Sequence, residues 1–203
     1  FKIKVMKEIL KDYYPEHTNE DLLALYSITG GIPKYIELFC DNGHVTADSM
    51  IRFSVSNMSP FIDEGRNLLI TEFGRDYGTY FSILLAVAQG RTSQAEITAT
   101  LGGTAIGGHL ERLENTYHIL SRYRPVMSKP GSKNTVRFRI SDNFMQFWFR
   151  FIERNRPMIE LDNYDDLCEV VMRDYPTYSG LMLEKYFRQQ LTEGGGFREM
   201  GSW

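Results

Sequence analysis

Cysteine is scarce in this chain of 203 residues: Cys40 and Cys168 are its two thiols. Two isolated thiols are too few for a disulfide framework, and neither sits in metal-ligand spacing. They read as small buried hydrophobes of a protein in a reducing cytoplasm. Histidine is nearly as rare. His17, His44, His109 and His118 share no spacing with a cysteine or carboxylate cluster, and none falls in a Ser/His/Asp or Cys/His pattern. Metal-dependent and nucleophilic catalysis therefore have no local signature. No run approaches the ~18 apolar residues of a membrane-spanning helix, and the first residues carry no secretory pattern. A phosphate-cradling loop is missing as well. Nothing fits G-x-x-x-x-G-K-[ST], and the stretch Gly102–Gly108 lacks the lysine whose charge would meet a phosphate.

What is present is a globular composition, 42% hydrophobic and 24% charged, enough for one large or two small domains. The net charge of −3 conceals an asymmetry. From Gly90 to Ser141 eight Arg or Lys face three Glu, a net of +5, which leaves −8 for the remainder. A basic segment on an acidic body is the distribution expected of a region that meets a polyanion. The chain opens at Phe1 and stops at Gly201-Ser202-Trp203, so it reads as a piece of a longer protein.

The basic stretch is also the best-patterned one. Thr92–Leu101 spells a short amphipathic helix with Ala95, Ile97, Ala99 and Leu101 as its apolar positions. Gly102-Gly103 breaks it. A second helix follows, in which Ile106, Leu110 and Leu113 recur at i, i+4 and i+7. Beyond Asn115 the pattern turns extended, and Val136, Phe138 and Ile140 alternate with Thr135, Arg137, Arg139 and Ser141. Pro130-Gly131 suits the turn of a hairpin. Helix, tight turn, helix and β-hairpin make a winged helix-turn-helix. Ile83, Leu84, Val87 and Ala88 of an apolar helix at 77–89 would pack beneath it. Asn115-Thr116-Tyr117 stands where such folds often carry a left-handed glycine; Asn tolerates that conformation.

Elsewhere the spacing predicts helices over Lys2–Asp12, from Thr18 as N-cap to Gly30-Gly31, from Pro33 at N1 to Asn42, and over 61–74. Asp142 opens a helix with an aromatic stripe of Phe144, Phe147, Trp148, Phe151 and Ile152, a core pattern. Two further helices are expected, Tyr164–Arg173 and Ser179–Leu191, with Gly194-Gly195-Gly196 as a flexible stop. The fold class is mainly α with a small β-hairpin.

The conjunction GGIPKYIELF, LLITEF, the winged helix, DNFMQFWFRFI and SGLMLEKYFRQQL, over nearly the whole chain, resembles the archaeal-type ATPases. These are AAA-related, signalling-type P-loop proteins with a restriction-endonuclease-like C-terminal region long classed as a domain of unknown function. The resemblance implies a helical lid remnant at 1–58, the winged-helix domain with flanking helices at 59–156, and the truncated start of a nuclease-like α/β domain at 157–203. It also implies that the Walker motifs, and with them ATP and Mg, belong to a missing N-terminal domain. The catalytic Asp and Glu-x-Lys would lie beyond Trp203, so the fragment itself would neither hydrolyse ATP nor cut nucleic acid.

Three sets of candidate residues follow. By the resemblance, Gly31, Pro33 and Lys34 form the nucleotide-facing Gly-x-Pro element of the lid, and Glu184 matches the acidic position that the first nuclease-like helix contributes. On residue chemistry, Arg112 and Asn115 of the second helix, with Arg122, Arg124, Lys129, Lys133, Arg137 and Arg139 of the wing, are the DNA-contacting set. Glu111 and Glu114 oppose phosphate and the glycines supply no contacts, so base-specific readout looks poor. DNA contact and a spacer role between ATPase and C-terminal domain both remain open. So do a DNA-binding regulator without ATPase, a protein-interaction adaptor, and an oligomeric state.

Overall fold

A computed structural model describes residues 1–124 and 136–194. The hairpin tip with Pro130-Gly131, and the stretch after Gly194 with its expected glycine stop, lie outside the described residues. In chain order the first helices are α1 (Ile3–Tyr13), α2 (Asn19–Thr29), α3 (Pro33–Asp41), α4 (Ala47–Ser54) and α5 (Phe61–Phe73). Then come α6 (Tyr77–Ala88), α7 (Gln94–Thr100), α8 (Gly107–Asn115), and strands β1 (Leu120–Tyr123) and β2 (Arg137–Ile140). Helix α9 (Asn143–Phe147), a π turn Trp148–Ile152, α10 (Arg156–Glu160) and the long α11 (Tyr164–Gly194) complete the described chain. It is mainly helical with a small antiparallel hairpin, as expected.

The residues fall into two compact units, Phe1–Ile62 with Phe151 onward, and Asp63–Arg150. The segment after residue 157, which the resemblance assigns to a further domain, packs here within the first unit through α11.

In the first unit, local capping sets the helix starts. The Thr18 hydroxyl accepts the Asp21 amide at 3.1 Å, and Asp21 Oδ2 accepts the Thr18 amide at 2.8 Å, a closed capping box. Gly30 (φ +60°) and Gly31 (φ +82°) end α2 in the left-handed region, which glycine enters without steric cost. Phe61 anchors the core, its ring 5.3 Å from those of Tyr35 and Phe39. Helix α4 escapes apolar periodicity because it has only two turns; its signal is the capping box of Thr46 and Ser49.

Helix α11 is the clearest departure from the sequence reading. Two helices were expected to flank Pro176, yet one helix of 31 residues runs through it. Pro176 leaves the Met172 carbonyl without its helical donor. Packing overrides this: Tyr175 and Tyr178, on either side, are both buried on α2. The Tyr175 hydroxyl meets Ser27 Oγ at 2.8 Å, and the Tyr178 hydroxyl donates to the Ser27 carbonyl at 2.9 Å. Burial pushes the Tyr175 phenol up to about 12, against the lowering effect of Ser27, so it stays neutral. Because Pro176 itself is exposed, Pro176→Ala should stabilise the protein by about 2 kcal/mol, seen as a higher urea midpoint at unchanged m-value. An unmoved midpoint would show that the proline costs this helix nothing.

In the second unit the aromatic stripe is buried as the spacing predicts: Phe144, Phe147 and Trp148 are 0% exposed. The Asp142 carboxylate caps α9 by accepting the Met145 amide at 2.7 Å. Ile83, Leu84 and Val87 of α6 are buried, whereas Ala88 is exposed and Ala86 takes the inward place. On α7 only Ile97 is fully buried; Leu101, just past its end, is half-buried, and Ala95 and Ala99 face solvent.

Candidate nucleic-acid interface

Helix α7 begins with a further capping box. The Ser93 hydroxyl accepts the Glu96 amide at 3.2 Å, while Glu96 Oε2 accepts the Ser93 and Thr92 amides at 2.8 and 3.1 Å. These bonds, the Ser93 amide first, hold the Glu96 carboxyl below its usual range, and the Arg137 charge adds to them. The Phe138 amide donates to the Thr92 carbonyl at 2.7 Å, which ties β2 to the entrance of α7.

Helix α8 buries Ile106, Leu110 and Leu113 beside it and turns Gly108, Glu111, Arg112 and Asn115 outward. Arg112 does not extend freely from this face. Its Nη1 donates to the Tyr80 hydroxyl at 3.5 Å, and Tyr80 is itself buried against Phe73 with centroids 4.1 Å apart. The turn after α8 differs from the expectation centred on Asn115. Asn115 stays helical, and His118 (φ +55°) takes the left-handed conformation. Its Nδ1 lies 3.0 Å from the Glu114 carbonyl, and the Ser141 hydroxyl donates to its carbonyl at 2.7 Å. These bonds hold it in place of the glycine.

The register then sorts the basic residues of the hairpin. Leu120 pairs with Ile140 and Arg122 with Phe138, whereas Ser121 pairs with Arg139 and Tyr123 with Arg137. Since successive side chains alternate, Arg122 shares the side of Leu120, Phe138 and Ile140. Its guanidinium lies 5.7 Å from the Phe138 ring centroid, and its Nε meets Glu114 Oε2 at 2.5 Å. Arg137 and Arg139 stand on the opposite side with Tyr123. Arg124 and Asn115 are exposed. Lys129 and Lys133 lie outside the described residues.

The described members of the predicted DNA set, Arg112, Asn115, Arg122, Arg124, Arg137 and Arg139, therefore belong to one unit but are divided within it. Sequence reasoning missed three partners: Tyr80 for Arg112, Glu114 for Arg122, and Tyr123 for Arg139. The last was legible in principle, because the alternation that separates Arg137 and Arg139 from Phe138 also selects Tyr123 once the register is known.

The lid candidates occupy the first unit. Gly31 is buried, and a Cβ there would lie 2.5 Å from the Phe1 carbonyl oxygen and 3.3 Å from Met6 Sδ. Pro33 and Lys34 are exposed on the first turn of α3, with Lys34 Nζ 5.9 Å from the Tyr35 ring centroid. Glu184 is exposed on α11 and accepts from Arg188, Nη2 to Oε1 at 2.7 Å. Among the described residues, no group of three His, Cys, Asp or Glu could hold a metal ion, and no helix is long and apolar enough to cross a membrane.

Residues 148–203 match a family model described as archaeal and bacterial proteins of unknown function. An uncharacterized protein of Methanocaldococcus jannaschii is 30% identical over 202 residues, which cover 95% of this chain and 43% of that protein. The chain thus spans less than half the length of that relative. No solved structure matches.

Proposed function

We propose that Asp63–Arg150 is a winged helix that holds DNA by its phosphates, within a longer ATP-binding protein of the archaeal-type ATPase kind. The observation that carries this reading is the placement of Arg124, Arg137 and Arg139 on the hairpin that follows the helix-turn-helix, with Arg137 and Arg139 on its outward side. Guanidinium groups there can neutralise several phosphates and release their counterions. The outer surface of α8, with exposed Glu111 and glycines and with Arg112 drawn to Tyr80, offers little to base edges. The contact is accordingly one of backbone charge and is independent of sequence.

The ATPase part rests on the lid resemblance. Pro33 and Lys34 share one exposed turn, an arrangement that fits a nucleotide presented by a P-loop domain outside this chain. Such a domain would supply the phosphate-binding loop and Mg; Pro33 would lie against the base and Lys34 would add charge.

Fluorescence anisotropy with an arbitrary duplex tests the DNA reading. Arg137→Glu with Arg139→Glu should weaken binding at low salt by at least about tenfold and lower the log–log salt slope by roughly 2. Unchanged affinity, or no binding by the unaltered chain, would leave a spacer or adaptor role. One observation favours that second reading: Arg122 is already ion-paired with Glu114, and Arg112 is turned to the Tyr80 hydroxyl.

A further inference from the structure

The outward side of the wing is more than a row of cations. Ser121, Tyr123, Arg137 and Arg139 share it, opposite the buried Leu120, Phe138 and Ile140. Arg139 is exposed, yet two contacts fix it: its Nε donates to the Ser121 hydroxyl at 3.3 Å, and its guanidinium lies 5.4 Å from the Tyr123 ring centroid. Neutralising a phosphate does not require such fixing, because a mobile guanidinium serves equally well as a counter-charge. A guanidinium held over an aromatic ring instead presents a flat, polarisable surface of the kind on which unpaired bases stack. Closed duplex cannot use that surface, since its bases are already stacked and paired. Across the ladder from Tyr123 stands Arg137, a second cation on the same side.

From this we infer that the outward side of the wing binds an unpaired nucleotide, its base stacked on the Arg139–Tyr123 pair and its phosphate on Arg137, so that single-stranded DNA is preferred to closed duplex. The inference rests on the nucleic-acid reading above and names the substrate form for the same surface. Tyr123 would be its specificity-determining residue, Arg139 its stacking surface.

The test compares a labelled single-stranded oligonucleotide with the blunt duplex of the same sequence, by anisotropy at one salt concentration. The unaltered chain should bind the single strand more tightly. Tyr123→Ala should weaken single-strand binding about 5- to 100-fold, the range for losing one base–aromatic stack, and leave duplex binding within about twofold. Tyr123→Trp and Tyr123→Phe, which keep a ring, should retain single-strand binding. If Tyr123→Ala leaves single-strand affinity unchanged while duplex binding persists, the stacking site is wrong and the phosphate reading stands. Equal losses on both substrates would also overturn it, because the ring would then serve the fold rather than a base. If the unaltered chain binds neither substrate, both readings fall together.

Discussion

Replacing Gly65 by Ala should destabilise the protein by about 2–3 kcal/mol, the upper part of the range of about 1–3 kcal/mol for forcing an extra group into a packed core. Helix propensity alone gives the opposite sign, since Ala in a helix interior is favoured over Gly by about 1 kcal/mol. Packing decides the outcome. Gly65 is buried in α5, and a Cβ there would lie 2.2 Å from Trp148 Cδ2 and 2.5 Å from Cγ. The indole has nowhere to retreat: Trp148 is 0% exposed and stands edge-on to Phe149 with centroids 5.1 Å apart. Urea unfolding followed by far-ultraviolet circular dichroism, which does not depend on Trp148, measures the change. Trimming the partner in Gly65→Ala/Trp148→Phe should recover part of the loss, because residues in contact do not behave additively. A midpoint raised by Gly65→Ala would mean that α5 and the Trp148 turn are not in the contact described.

Asp21→Ala should cost about 2–4 kcal/mol, which combines the loss of a cap with that of buried, charge-assisted hydrogen bonds. Asp21 is 5% exposed and joins two helix starts. Its Oδ2 accepts the Thr18 amide and hydroxyl, each at 2.8 Å, at the head of α2. Its Oδ1 accepts the Ala47 amide at 2.6 Å, at the head of α4. Both are places where backbone donors lack intrahelical partners and where negative charge is favoured. Alanine removes all three bonds and strands the donors. Asn, which keeps one acceptor oxygen, should fall between Asp and Ala. Thr18→Ala, which removes only the cap on α2, should cost about 1 kcal/mol. Chemical denaturation ranks the variants, and hydrogen exchange at the Ala47 amide reports the second helix separately. Equal stability of Asp21→Ala and Thr18→Ala would show that the tie to α4 carries no energy.

Local signals brought the sequence reading most of the way to the fold. Thr18 and Asp142 open their helices from within one turn, Pro33 starts α3, and the apolar spacings of α8 and α9 find the core without help from distant residues. Alternation in Phe138–Arg139–Ile140 likewise separates the two sides of β2. The candidate site was less legible: the sequence supplied the cations but not their partners. Whether Arg112 reads DNA or rests on Tyr80, and whether Arg122 is available or held by Glu114, depends on residues from separate elements.

The same limit applies to stability. By itself the sequence determined where most of the helices start, which sides of α8, α9 and β2 are apolar, and that the positive charge gathers in one stretch, because these follow from interactions within a few residues. Only the tertiary structure decided that α11 runs through Pro176, that Asp21 serves α4 as well as α2, that Gly65 makes room for Trp148, and that Arg139 lies on Tyr123. Each of these depends on a partner many positions away or across a strand register, and the gain from that contact outweighs or redirects the local preference.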